Sequence, residues 1–431
     1  MTVPRRISPE KANTAANAIG YFLAFDRLPP SNYRKRLSQA SYGQRNFCEP
    51  PMNNCSLRYL AVMASAILST APATAAPDNE RPRYSIIDLG RSSEVVALND
   101  KGEVAGTRTT SDGHRHAFLY SQGHIIDLGT LGGADSFAQG LNSSGVVVGL
   151  AQTAEKMPGP GHRQLFKPFI FSNGTLRELQ LIAPATETID RAVDINDSGQ
   201  IAVTLHSQIG AIWSSGSAEL LGTLVPAGTG VRMGESVKGD GTRTPIISYR
   251  AGYVVPRRIN RFGTVIGLAK AMDSSEHAFI YSHKQLTDLG ILDGKSSQAK
   301  DLNDDGTVVG SYRTNGGAIH AVRFISGKPE DLGIPAGFEN SSAEGINNTG
   351  EIVGQGYTIT GGSFLRIDAI QRGFRWDKGR WIDLTKEVDF GGSGSTVIYG
   401  VTRINNGGDI IGQAGGAAGG RSGCLLQRQP N

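Results

Sequence analysis

Seven times along this 431-residue chain an Asn followed three residues later by Gly opens a β-rich unit, at Asn99, Asn142, Asn196, Asn260, Asn303, Asn347 and Asn405. The separations are 43, 54, 64, 43, 44 and 58 residues, a mean of 51. Such a period is that of propeller blades and is too long for most solenoid repeats. The step has a mechanical reading. Asn bonds its own backbone and starts a type I turn, and Gly takes the positive-φ position that completes a tight hairpin. With 57 Gly and 39% hydrophobic residues, the chain suits many short strands around a large core.

Each unit holds four short elements. The first runs into the Asn turn, as in Val95 to Asn99, and the second leaves it, as in Glu103 to Gly106. The third reads His116-Ala117-Phe118-Leu119-Tyr120 and the fourth Ile126-Asp127-Leu128-Gly129. Alternation puts Ala117 and Leu119 on one face of the third strand and Phe118 and Tyr120 on the other. Both faces are apolar, so the strand needs a neighbouring sheet on each side. The region begins with an orphan fourth strand, Tyr84 to Gly90, and ends on a unit that has only its first three. Pairing these ends gives seven complete blades and hides the edges an open array would expose. The fold expected is all-β: a seven-bladed β-propeller of four-stranded blades, closed by the N-terminal strand.

The whole chain carries a formal charge of +4, but residues 1–75 hold nine Lys or Arg against three Asp or Glu, leaving 34 against 36 beyond them. The repeat region is therefore near neutral, and nucleic acid is not expected as a partner, because phosphate binding needs clustered positive surface. From Met52 the chain reads as a secretory signal: Arg58, an apolar stretch from Tyr59 to Leu68, then Ala73-Thr74-Ala75 before a polar start. That stretch is well short of the roughly 20 residues that span a bilayer, so the mature chain is expected without a transmembrane segment, in the periplasm or outside the cell. The division expected is 1–51 a disordered extended leader or a start assigned too early, 52–76 the signal peptide, 77–83 a linker, 84–427 the propeller and 428–431 a tail. Cys424 is the one thiol of that mature chain. It is expected as a buried small hydrophobe.

The His-Ala-Phe strand, the Asn turn and the run Asp127-Leu128-Gly129-Thr130-Leu131-Gly132-Gly133 together resemble the bacterial extracellular repeat family named for His-Ala-Phe, over about residues 84–427. The resemblance implies export and repetition and brings no catalytic residues. Units two, three and seven depart from it, with Lys167-Pro168-Phe169, Gly210-Ala211-Ile212 and Ser422-Gly423-Cys424 in place of the tripeptide.

Chemistry-bearing motifs are weak. Asp301, Asn303 and Asp305 match the start of a calcium loop, but position twelve is Tyr312 and no Glu closes it; a hairpin turn is the simpler reading, and no metal or cofactor is expected. Gly294-Lys295-Ser296 has the wrong spacing for a phosphate loop. His116, His277 and His320 recur at one repeat position, as do Asp88, Asp127, Asp288, Asp331 and Asp383. Shared structural tasks fit them better than catalysis. Extra residues fall at 151–165, 225–252, 355–371 and 386–398, all in connections that leave one face of the ring. Loops on a rigid scaffold are where binding groups concentrate. The segment 225–261 is locally basic, with Arg232, Lys238, Arg243, Arg250, Arg257, Arg258 and Arg261 against Glu235 and Asp240. The residues expected to bind a ligand are Arg163, Arg232, Lys238, Arg243, Arg250, Tyr253, Tyr357 and Arg366. The expected role is that of a secreted, non-enzymatic binding or surface-interaction module, its partner an anionic extracellular polysaccharide or a surface protein. A glycan lyase or hydrolase with a site at the ring centre, and a structural envelope protein, stand as alternatives. Sequencing the N-terminus of the exported protein should find Ala76 or Pro77; an exported chain that keeps residues 52–75 would overturn the signal reading.

Overall fold

The structure, a computed structural model, describes residues 83–156, 164–181, 188–225, 231–237, 243–248, 252–292, 294–363, 366–416 and 420–430. Asn79–Gly361 and Ile367–Asn431 form one compact unit. Residues 1–78 group separately with Gly362–Arg366, and of that group only the ends of two strands are described. The compact unit is a seven-bladed β-propeller. Blade 1 comprises Glu94–Leu98, Val104–Thr109, Arg115–Ser121 and His124–Asp127, hydrogen-bonded in that order. Blades 2 to 6 repeat the order within residues 132–178, 189–220, 254–290, 294–333 and 340–383. Blade 7 takes Val397–Ile404, Ile410–Gly415 and Arg421–Arg428 from the end of the chain and Tyr84–Arg91 from its start. Tyr84 pairs with Arg428 and Asp88 with Cys424, antiparallel. The ends complete one another as expected. The closing strand runs one residue further than the sequence suggests, and Gln429 donates its N–H to Arg83.

The Asn turns carry more than the sequence reading gave them. In blade 1 the Asn99 side-chain oxygen accepts the N–H groups of Lys101 and Glu103, the Asn99 carbonyl accepts that of Gly102, and Gly102 has a φ of +76°. The amide nitrogen remains, and it donates to the backbone carbonyl of Asn142 in the next blade at 3.1 Å. Asn142 donates to Asn196, Asn196 to Asn260, Asn260 to Asn303, Asn303 to Asn347 and Asn347 to Asn405. Asn405 donates to Asn99 at 3.1 Å, across 306 residues, and the circle closes. All seven are buried.

A serine six residues before the Asn fastens four blade interfaces nearer the other end. Ser136 accepts the N–H of Ala117 and donates to the Gly129 carbonyl, both in the preceding blade. Ser297 and Ser341 do the same with Ala278 and Gly290, and with Ala321 and Gly333. Ser93 ties Gly423 to Gly90 at the closing interface. Blade 2 has Pro168 where the others present that N–H, and no donor exists there. Asp190 stands at the serine position opposite it.

The core is a set of layers between blades. Ala117 and Leu119 pack with Val147, Phe169 and Leu141 of blade 2, while Phe118 joins Leu425, Ile411 and Leu89 of blade 7. The two-faced third strand is thus satisfied on both sides. Each fully buried Val, Leu, Ile or Phe contributes roughly 1.5–3 kcal/mol relative to exposure. Within a blade, Gly106 pairs across from Phe118, Gly149 from Phe169 and Gly267 from Phe279. A Cβ at Gly106 would lie 2.4 Å from the Glu94 carbonyl and 2.7 Å from the Phe118 ring, so the large ring requires the glycine. Blade 3 meets the same volume the other way, with Val203 opposite Ala211.

The four sequence insertions are mostly not loops. Two lengthen blade hairpins, in strands Val147–Lys156 and Gln164–Ser172 of blade 2 and Ile352–Ser363 and Arg366–Asp377 of blade 6. One contains an extra two-stranded hairpin, Val231–Val237 with Arg243–Ser248, between blades 3 and 4. The fourth departs from expectation. From the end of blade 6 it runs down the rim, and Val388–Asp389 pairs in parallel with Tyr84 and Ser85, giving blade 7 a fifth strand near the Asn-turn end. Replacing Asn142 with Ala should cost about 2–4 kcal/mol in chemical denaturation, since it removes one interblade and two turn hydrogen bonds from a buried site. A loss below about 0.5 kcal/mol, ordinary for surface positions, would show that the circle is dispensable.

Candidate functional site

The Asn-turn end carries a second set of blade-to-blade hydrogen bonds. Outside the amide circle, Asp304 donates its N–H to Asn348, Asn348 to Asn406 and Asn406 to Asp100, and Ser143 to Asp197. Arg261 reaches Asp304 at 3.1 Å. The acidic run 301–306 is explained by these contacts. Asp301 accepts the Ile346 N–H and lies 3.4 Å from Arg403, Asn303 accepts the Thr307 N–H, and Asp305 is exposed in the turn. The three oxygens of the calcium reading are therefore committed to different neighbours or to solvent. Among the described residues no group of His, Cys, Asp and Glu could hold a metal ion.

Two residues before each Asn the chain passes the ring centre. The seven positions are Ala97, Gly140, Asp194, Arg258, Asp301, Gly345 and Arg403. Four charges from four blades meet there. Arg403 bridges Asp194 at 3.5 Å and Asp301 at 3.4 Å, and Arg258 approaches Asp301 at 3.9 Å. Asp194 also accepts the Ile259 N–H. Both carboxylates are nearly closed off, at 6% and 5% side-chain exposure. Burial pushes the Asp301 carboxyl up, against the pull of Arg403 and Arg258. Burial and the like charge of Arg403 bring the Arg258 guanidinium down to about 9. The network is neutral, engaged and inaccessible to a polymer, and it closes the ring near its Asn-turn end. Sequence reading missed it, although alignment of the units on Asn puts two Asp and two Arg at one position.

The recurrent His and Asp pair within blades. His116 bonds Asp127, His277 bonds Asp288 and His320 bonds Asp331, at 2.8–2.9 Å. Each Asp also accepts the N–H of the Gly two residues on. In blade 2 the same places hold Lys167 and Glu178, which form an ion pair at 3.1 Å. By register blade 3 presents Ile209-Gly210-Ala211, one residue earlier than the Gly210-Ala211-Ile212 read from the sequence, so these places hold Ile209 and Leu220, an apolar exchange of both partners. Blade 6 has Arg372 and Asp383, and there the pairing stops: among the described residues they form no ion pair with each other.

A cleft of about 330 Å³ lies there, lined by Ala336, Phe338, Ile370, Arg372, Phe374, Trp381, Asp383 and Lys386. It sits where the connection from blade 5 meets the lengthened hairpin of blade 6, on the end away from the Asn turns. Phe338 and Phe374 meet edge to face at 5.5 Å, and Trp381 donates its indole N–H to the carbonyls of Leu332 and Gly333 in blade 5. Asp383 accepts the Thr385 N–H through one oxygen. Arg372 donates to the Gln371 carbonyl and lies 5.7 Å from the Tyr399 ring, whose other approach is by Arg421 at 4.6 Å. Lys386 is exposed.

Of the residues singled out in the sequence, Arg163, Lys238 and Arg250 lie outside the described residues, and Arg232, Arg243 and Arg366 lie on strands whose side chains there are not described. Tyr253 is half-buried and donates its hydroxyl to Glu276. Tyr357 is half-buried on the blade 6 hairpin, its carbonyl accepting from Asn340. The basic segment 225–261 is not one surface: Arg258 belongs to the ring-centre network and Arg261 to the Asn-turn end. Cys424 is fully buried, and burial pushes its thiol up to about 12.

No family model and no curated protein matches the chain. Among solved structures it is similar to the β-propeller domain of the Trilobed protease from Pyrococcus furiosus, at 10% identity over 79% of this chain and 99% of that one, with a TM-score of 0.43. YCF48 bound to D1 peptide matches at 12% over 82% and 98%, with a TM-score of 0.42. A puromycin-hydrolyzing peptidase from Mycobacterium tuberculosis matches at 10% over 74% of this chain and 58% of that one, with a TM-score of 0.33. The chain thus spans little more than half the length of that peptidase. Among the described residues no helix is long and apolar enough to cross a membrane.

Replacing Arg403 with Met strands two buried carboxylates and should lower the unfolding free energy by about 3–5 kcal/mol. Adding Asp194→Asn and Asp301→Asn should recover part of that loss in the same urea titration. No loss in the single variant would show that the network bears no load.

Proposed function

We propose that the protein is a secreted, non-enzymatic binding module of the His-Ala-Phe repeat kind, whose ligand is an acidic extracellular polysaccharide held on the end away from the Asn turns. One observation carries this reading: the two ends of the ring use their polar groups differently. The Asn-turn end is organised by one closed circle of Asn amides and by partial chains of blade-to-blade hydrogen bonds outside it. The other end bears the lengthened hairpins and the extra hairpin, and there Arg372, Lys386 and Arg421 have no carboxylate within ion-pair distance among the described residues. The hairpin that carries Arg232 and Arg243 extends the same end. Cations without acid partners beside aromatic rings suit a polymer of carboxylated or sulfated sugars. A ring-centre enzyme draws little support, because Asp194 and Asp301 are tied to Arg403 and to backbone N–H groups and are closed to a polymer chain.

Affinity electrophoresis of the mature protein tests the reading. Polygalacturonate or dextran sulfate in the gel should retard it and neutral dextran should not, and added salt should weaken the retardation. Deleting 228–250 should reduce it. Equal mobility in all three gels would overturn the proposal.

A further inference from the structure

We infer that the cleft between blades 5 and 6 takes one hexuronate unit of such a polysaccharide, an inference that rests on the polyanion reading above. The internal repeat supplies the reason to look there. Four blades join this third-strand position to its fourth-strand partner side chain to side chain, by a His–Asp hydrogen bond in His116–Asp127, His277–Asp288 and His320–Asp331 and by an ion pair in Lys167–Glu178. Blade 6 keeps the two charges, as Arg372 and Asp383, without joining them, and both line the cleft. A pair that serves only to fasten strands has no cause to come apart. It comes apart where the hairpin is longest, with strands of 12 residues each, and where Phe338, Phe374 and Trp381 gather.

The lining matches a pyranose acid. A sugar ring has apolar C–H faces and a rim of oxygens, and the cleft sets aromatic walls beside groups that hydrogen-bond at their edges. Phe338 and Trp381 provide the walls. Arg372 forks a carboxylate, and Lys386 adds a second positive charge. One Asp383 oxygen is taken by the Thr385 N–H and the other is left for a sugar hydroxyl. Two cations against one carboxylate select an acidic sugar over a neutral one. At about 330 Å³ the cleft is at the small end of ligand sites, fitting one or two rings and leaving the rest of a chain outside.

The test is titration of the mature protein with trigalacturonate, with neutral galactotriose and with an apolar tripeptide acid, followed by calorimetry. Trigalacturonate alone should bind. Arg372→Met should weaken it about tenfold or more, the loss of one charge-assisted fork, and Phe338→Ala should weaken it without changing the salt dependence. Lys386 is exposed, so Lys386→Met keeps the test sound if Arg372→Met unfolds; it should weaken binding severalfold and flatten the salt dependence. Polygalacturonate retardation that survives Arg372→Met, Lys386→Met and Phe338→Ala unchanged would overturn the cleft while leaving the polyanion reading standing. Loss of all polyanion retardation in the wild-type protein would overturn both. Preferential binding of the tripeptide acid, or equal binding of the neutral sugar, would overturn the hexuronate assignment.

Discussion

The fold depends on a hydrogen bond from one asparagine amide to the backbone of the next asparagine, repeated until it returns to its start. Each Asn does two jobs that use different atoms. Its oxygen folds its own hairpin, and its nitrogen holds the neighbouring blade. No common side chain but Asn reaches both with one short planar amide. Because the circle is closed and its members are buried, losing one amide leaves an unpaired carbonyl in the next blade as well as an unsupported turn. Blade lengths can vary from 43 to 64 residues without disturbing it, since the added residues enter at the far ends of the strands.

The departures from the repeat are compensated locally rather than tolerated. His with Asp becomes Lys with Glu in blade 2 and Ile with Leu in blade 3, so both partners change character together. Gly opposite Phe becomes Val opposite Ala. Pro168 removes an N–H, and the serine that would have accepted it is absent too. The tripeptide signature is thus a record of how blades fasten to themselves and to one another. It carries little chemistry. That is also why the one place where partners persist without meeting, Arg372 and Asp383, stands apart from the rest.

The ring centre shows the cost of reading charge by segment. Arg258 and Arg261 look like members of one basic stretch, yet one faces buried aspartates and the other an acidic turn. Their roles follow from position relative to Asn260, two before and one after, and not from the composition around them. A buried charge is held only with its partners in place. For Arg403, which completes the same network, the partners lie 102 and 209 residues away along the chain.

Much of the architecture was legible in the chain. The Asn-x-x-Gly spacing, the two-faced apolar third strand and the incomplete units at the two ends were enough to reach seven blades and their closure. Each reflects a constraint that acts within a few residues, or, for the ends, a simple count. The contacts that join blades were not legible: the amide circle, the serine staples, the Arg403 bridge and the descending segment at 388–389. They pair residues separated by tens to hundreds of positions, and which side chains meet depends on ring curvature and blade angle, which no local pattern encodes. The cleft was hidden for the same reason. Its rings and charges come from a connection, two strands and a short 3₁₀ turn, and only the packing of blade 5 against blade 6 brings them to one place.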